Sequence, residues 1–120
     1  MKLLDSSVII AYANADDALH EQAKTVVLED CAINELVFAE VANVLQKKVK
    51  NKEMIMKTLN FLAENTAMLA CREVIPESLK AFSEHYPKLS LTDATLLLES
   101  KELGLELATF DEELLKLSKP

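Results

Sequence analysis

The sequence is poor in the residues that bend and break chains. One glycine and three prolines in 120 residues argue against a loop-rich all-β fold, which needs turn residues at every reversal. Aromatic residues make up only 5%, so the core must be packed from aliphatic side chains. Cysteine is limited to Cys31 and Cys71, far apart and at no metal-binding or redox spacing. Two buried thiols are the plain reading, and a disulfide would require both to fall on neighbouring strands. No apolar run approaches the roughly 18 residues of a membrane span. The N-terminus lacks the basic segment, long apolar stretch and small-residue cleavage site of a secretory leader. These absences lead to the expectation of a cytoplasmic protein that makes no use of a membrane.

Positive charge is scarce as well. Thirteen lysines and arginines stand against twenty acids, for a net charge of −7, and Arg72 is the only arginine. Such a chain has no generalised attraction to a phosphate backbone, so a nucleic-acid partner would demand divalent cations or a local basic patch. What the chain does have is apolar material, at 50% of residues. Its length suits one domain over residues 1–120 with a single core.

The stretch that organises the rest is Lys2-Leu3-Leu4-Asp5-Ser6-Ser7-Val8-Ile9-Ile10. An apolar run too short for a buried helix suits a core strand. It stops on Asp5, and Ser6 or Ser7 can cap a helix beginning at Val8. Further on, Asp16 or Asp17 can cap a helix from Ala18 to Leu28. Cys31 to Ile33 form a candidate strand ended by Asn34. A helix from Glu35 to Val49 carries Val37, Phe38, Val41, Val44, Leu45 and Val49 on one arc. Helical spacing continues from Glu53 to Ala63, Ala67 to Ala70 read as a weaker strand, and Pro76 opens a helix that ends before Pro87. Ser90 opens a helix closed by Gly104. Leu105 to Ala108 make a last strand before a helix over 112–117. Strands alternating with helices predict an α/β three-layer sandwich, with a parallel sheet of four or five strands covered on both faces.

Four acids stand apart from the solvated majority: Asp5, Glu40, Asp93 and Asp111. Each adjoins core-type residues at a strand end or in the early part of a helix. In a parallel sheet, strand C-termini and helix N-termini share one edge, where open α/β folds place their chemistry. Each acid also has a plain structural reading. Asp5 suits a turn, Glu40 borders an amphipathic helix, Ser90-x-x-Asp93 has the form of a capping box, and Asp111 suits a helix N-cap. Convergence is what sets them apart. Crowded carboxylates repel, and hard divalent cations with oxygen ligands, Mg²⁺ or Mn²⁺, commonly relieve that repulsion. With no Cys/His cluster nearby, zinc does not fit. An acidic metal site suits phosphodiester hydrolysis, and the Ser7 and Thr109 hydroxyls would order metal-bound water there.

The helix after Asn34 adds one more pattern. Glu40, Asn43 and Lys47 share a stripe beside the apolar arc, and Lys47-Lys48-Val49-Lys50 ends the helix on lysines. Cations suit a helix C-terminus; alternatively Asn43, Lys47, Lys48 and Lys50 border a groove that meets substrate phosphate.

Asp5-Ser6-Ser7 after an apolar strand, Glu40 in Phe-Ala-Glu-Val-Ala-Asn-Val-Leu, Asp93 in Leu-Thr-Asp-Ala and Thr109-Phe-Asp111 resemble the PIN-domain nucleases. Chain length and the order of the acids look most like the VapC-type toxins of prokaryotic toxin–antitoxin pairs. The resemblance implies a Mg²⁺- or Mn²⁺-dependent endoribonuclease, a small inhibitory antitoxin protein and a homodimer. It places Asp5, Glu40, Asp93 and Asp111 as the catalytic, metal-binding quartet, with Ser7 and Thr109 as supporting hydroxyls. Two other readings stay open: an RNA-processing nuclease without an antitoxin, and a PIN-like binding or scaffold protein with little catalysis. A phospho-acceptor receiver domain is disfavoured by the serines after Asp5, by the lack of an acid ending the third candidate strand and by the lack of a lysine directly after Ala108.

Overall fold

The structure, a computed structural model, describes residues 1–26 and 30–119. Four short strands, β1 (Lys2–Leu4), β2 (Cys31–Asn34), β3 (Ala67–Leu69) and β4 (Glu106–Ala108), form one parallel sheet in the order β3-β2-β1-β4. Lys2 pairs with both Cys31 and Glu106, and Ala32 pairs with Ala67. The inner strands are buried on both faces, as a parallel sheet covered by helices requires: Leu3, Leu4, Ala32 and Ile33 are all fully buried. β3 is an edge, with Ala67 and Met68 exposed. The four-stranded sheet and its flanking helices make the α/β three-layer sandwich that the alternation of strands and helices predicts.

The helices are α1 (Ser6–Ala13), α2 (His20–Ala23), α3 (Glu35–Lys48), α4 (Lys52–Asn65), α5 (Ile75–Glu84), α6 (Leu91–Leu103) and α7 (Glu112–Ser118). Their ends follow from side-chain caps. Asn34 accepts from the Val37 amide, Asn51 from Met54, Ser90 from Asp93 and Asp111 from Leu114. Each satisfies an amide that has no partner inside the helix. Gly104 closes α6 at φ +64°, its N–H bonded to the Ser100 carbonyl. Lys50 takes the same left-handed region, at φ +54°, after α3. Val37, Val41 and Leu45 of α3 pack against Leu3, Ile9 and Ile33 in an aliphatic core. Each such side chain contributes about 1.5–3 kcal/mol of transfer free energy.

Two expectations about the helices need correction. The first helix starts at Ser6 and not at Val8. Its cap is neither serine but Asp5, extended at φ −83° and ψ 156°, whose Oδ1 accepts from the Ser6 amide at 2.8 Å. The helix expected over Ala18–Leu28 is only four residues long. Asp17 does bond the Leu19 amide, but the chain tightens after Ala23: Thr25 and Val26 bond back three residues, to Gln22 and Ala23. The expected continuation through Val27 and Leu28 lies outside the described residues. Cys31 and Cys71 are both buried thiols rather than halves of a bridge, and burial pushes both up from the ordinary thiol range. Among the described residues, no helix is long and apolar enough to cross a membrane.

Candidate active site

Because all four strands run the same way, the residues just after β1, β2 and β4 emerge along one edge. Asp5 follows β1, the central strand of that edge, and its amide extends the ladder by donating to Ala108 of β4 at 3.0 Å. Asp5 is 4% exposed. A carboxylate buried to this degree needs donors, and it has three. The Ser6 amide meets Oδ1 at 2.8 Å, while the Ser7 and Thr109 hydroxyls meet Oδ2 at 2.8 and 2.6 Å.

The two hydroxyls also stitch the ends of β1 and β4 together. Ser7 Oγ accepts from the Phe110 amide at 3.1 Å, and Thr109 Oγ1 accepts from the Asp111 amide at 3.0 Å. Ser7 and Thr109 are therefore both bonded to the Asp5 carboxylate. They also shape the turn that delivers Asp111, which is exposed and caps α7.

Glu40 reaches the same region from α3. It is half-buried, and its Oε1 accepts a hydrogen bond from Ser6 Oγ. Asp93 arrives on the first turn of α6, half-buried, its amide bonded to Ser90 Oγ at 3.0 Å. Burial, followed by the charge of Asp5 and then that of Asp111, pushes the Asp93 carboxyl up, against bonds with Ser90 that pull it down. That cross-talk between residues 5, 93 and 111 is the electrostatic mark of convergence. Asp93 is thus both a helix-cap residue and a member of the acidic cluster.

The arrangement is open. Among the described residues, no three Asp, Glu, His or Cys side chains stand close enough to hold one ion between them. Asp93 feels the charges of Asp5 and Asp111, and Glu40 is joined to Asp5 through Ser6, without a closed cage among them. Mg²⁺ usually takes only one or two carboxylates and keeps several waters, so the donor chemistry suits a hard cation: all oxygen, anionic and mutually repelling.

The lysine stripe stands apart from this cluster. Asn43, Lys47, Lys48 and Lys50 are exposed, and none belongs to an ion pair among the described residues. Lys47 lies seven residues beyond Glu40, roughly 10 Å along the helix axis.

Two residues of consequence carried no functional reading in the sequence. Ser6 looked like an alternative cap, yet it is 7% exposed and touches two of the four acids. Asn34 looked like a strand terminator, yet it is fully buried. Its amide nitrogen donates to Thr95 at 3.1 Å and to Glu99 at 2.7 Å. The signal for Ser6 was its place between Asp5 and a core-facing helix, where a small polar residue must point at something. Asn34 gave no comparable signal, because its partners lie some sixty residues away.

The sequence profile described as PIN domain matches residues 2–120. The chain belongs to the PIN-domain family. No curated protein matches it in sequence, but solved structures share its shape. One is VapC20 of Mycobacterium tuberculosis, described as a sarcin–ricin loop cleaving toxin, with TM-score 0.82 and 18% identity. That match covers 95% of this chain and 92% of the other. PAE2754 of Pyrobaculum aerophilum has TM-score 0.71 and 24% identity, over 98% and 84% of the two chains. A chain of a Klebsiella pneumoniae toxin–antitoxin complex has TM-score 0.65 and 24% identity, over 91% and 85%. At these identities the likeness is one of fold. It agrees with the PIN-domain sandwich.

Proposed function

We propose that this PIN-domain protein is a divalent-metal-dependent endoribonuclease, the toxin of a type II toxin–antitoxin pair. The observation that carries the reading is the buried Asp5 carboxylate, held by three donors at the sheet edge with Glu40, Asp93 and Asp111 around it. A bound Mg²⁺ or Mn²⁺ would supply charge neutralisation at the scissile phosphate and acidity to water. Asp5, Glu40, Asp93 and Asp111 are the residues that would hold it.

The chain's own groups do the rest. Ser7 and Thr109 keep Asp5 from rotating away. Asp93, pushed up by burial and by its acidic neighbours, takes up a proton more readily than an ordinary aspartate. Lys47, Lys48 and Lys50 offer cations to phosphate on an otherwise negative molecule, with Asn43 beside them. The relatives in shape, a cleaving toxin and a toxin–antitoxin complex, support a small antitoxin as the natural partner. A homodimer and a cytoplasmic location complete the proposal.

The test is cleavage of a mixed single-stranded RNA with Mn²⁺ or with chelator, beside a calorimetric Mn²⁺ titration of wild type and Asp93→Asn. The expected result is Mn²⁺-stimulated cleavage that Asp93→Asn removes together with most Mn²⁺ affinity, while the fold is kept. Equal cleavage by a well-folded Asp93→Asn protein would overturn the assignment. The net charge of −7 favours a second reading, a PIN fold that binds without cutting. Mn²⁺ binding with no cleavage of any RNA would select it.

A further inference from the structure

Ser6 has two hydrogen-bond donors and gives them to two different acids. Its amide donates to Asp5 Oδ1 at 2.8 Å, and its hydroxyl donates to Glu40 Oε1. The residue is 7% exposed and stands at the first position of α1, capped by Asp5 itself. Its backbone is fixed by that cap, so the hydroxyl is presented from a rigid point. Glu40 is the opposite case: a half-buried side chain on α3 that forms no other side-chain hydrogen bond among the described residues.

We propose that Ser6 is a positioning residue, which ties the Glu40 carboxylate to the Asp5 cap and so sets the spacing between an acid at the end of β1 and one on α3. The inference rests on the metal-nuclease reading above. Without the Ser6 hydroxyl, Glu40 has the rotamer freedom of a surface glutamate and is repelled by the neighbouring acids into solvent. With it, one carboxylate oxygen is occupied and the other is left to meet a cation. Groups that orient a metal ligand through a hydrogen bond typically change metal affinity by ten- to a hundredfold when removed. Ser6 would do for Glu40 what Ser7 and Thr109 do for Asp5.

The experiment is a calorimetric Mn²⁺ titration of the full chain as wild type, Ser6→Ala, Ser6→Thr, Glu40→Gln and the double variant Ser6→Ala/Glu40→Gln. Circular dichroism melts in chelator provide the fold control. Ser6→Ala is expected to weaken Mn²⁺ binding about tenfold with little change in the metal-free melt. Ser6→Thr, which keeps the hydroxyl, is expected to bind within about twofold of wild type. In the Glu40→Gln background, Ser6→Ala should weaken binding no further, because its effect runs through Glu40. Should Ser6→Ala unfold, the isosteric pair Ser6→Thr and Ser6→Val isolates the hydroxyl in the same way. Two results overturn the proposal: wild-type affinity in Ser6→Ala, or an equal loss with and without the Glu40 carboxylate. If instead the wild type binds no Mn²⁺, the metal-nuclease reading itself falls. If Glu40→Gln weakens binding and Ser6→Ala does not, only the role of Ser6 falls.

Discussion

Asn34 and Glu99 meet in the interior, the Asn34 amide nitrogen 2.7 Å from Glu99 Oε1. Asn34 also donates to Thr95, and its carbonyl oxygen caps α3 at the Val37 amide. One fully buried side chain thus joins the start of the helix that carries Glu40 to the middle of the helix that carries Asp93. Asn34→Ala removes the cap and strands a buried carboxylate. The expected cost is about 3 kcal/mol, from a lost cap of about 1 and a lost charged hydrogen bond of about 2. Urea denaturation at neutral pH measures it, and a loss below about 1 kcal/mol would show that water replaces the amide.

Glu99 and Asp93 lead to a pH dependence. Burial pushes Glu99 up, the Asn34 bond opposes this, and Glu102 and Glu35 add to the rise. Asp93 is raised chiefly by burial and Asp5. For both groups the folded value lies above the unfolded one, so folding favours the protonated carboxyl. Stability from this source is present at low pH and lost as pH rises through the folded values. Glu99→Gln keeps an acceptor for Asn34 and cannot ionise. It should therefore melt higher than wild type at pH 7, with the difference closing as pH is lowered toward the ordinary carboxylate range. A constant difference across that range would exclude Glu99 as its source.

The two left-handed residues should respond in opposite senses. A Cβ at Gly104 would meet nothing within 4 Å, so Gly104→Ala is expected to cost about 1 kcal/mol from backbone conformation alone. At Lys50, already left-handed with a side chain, Lys50→Gly should gain up to about 1 kcal/mol. Paired denaturation curves test both signs together.

Thr109 holds Asp5 with its hydroxyl hydrogen and the Asp111 amide with its oxygen. Thr109→Val preserves shape and removes both bonds. A stability loss of about 2 kcal/mol is expected, with a fall in RNA cleavage larger than the loss of folded protein explains. Cleavage per folded molecule equal to wild type would confine Thr109 to a structural role.

Replacing Lys47, Lys48 and Lys50 with glutamine tests the exposed stripe. If these side chains meet phosphate, the slope of log affinity for single-stranded RNA against log salt should flatten by about 0.7 per lysine. An unchanged slope would leave them as solvated charges at a helix end.

The fold was legible because its signals are local. Short aliphatic runs, Ser90 and Asp111 as caps and Gly104 as a stop each depend on a few neighbouring residues. The candidate site was legible for a different reason, since a parallel sheet gathers strand ends whatever fills the core. That is the reason to expect Asp5, Glu40, Asp93 and Asp111 at one edge. Pairings set by tertiary packing were not readable. Nothing near Ser6 announces Glu40, and nothing near Asn34 announces Thr95 or Glu99. The short α2 escaped too, because the helical spacing of Leu19 and Ala23 says nothing of the three-residue back-bonding that ends it.

The sheet order has a consequence for how the protein is born. β1 is made about a hundred residues before one of its two neighbours, β4, and Lys2 pairs with Glu106. Asp5 gains its Thr109 donor, and Asp111 its place, only once β4 and the turn after it have been made. Such long-range pairing is slow to close. A chain short of β4 therefore carries Asp5, Glu40 and Asp93 without the strand pairing and the Thr109 hydroxyl that hold Asp5.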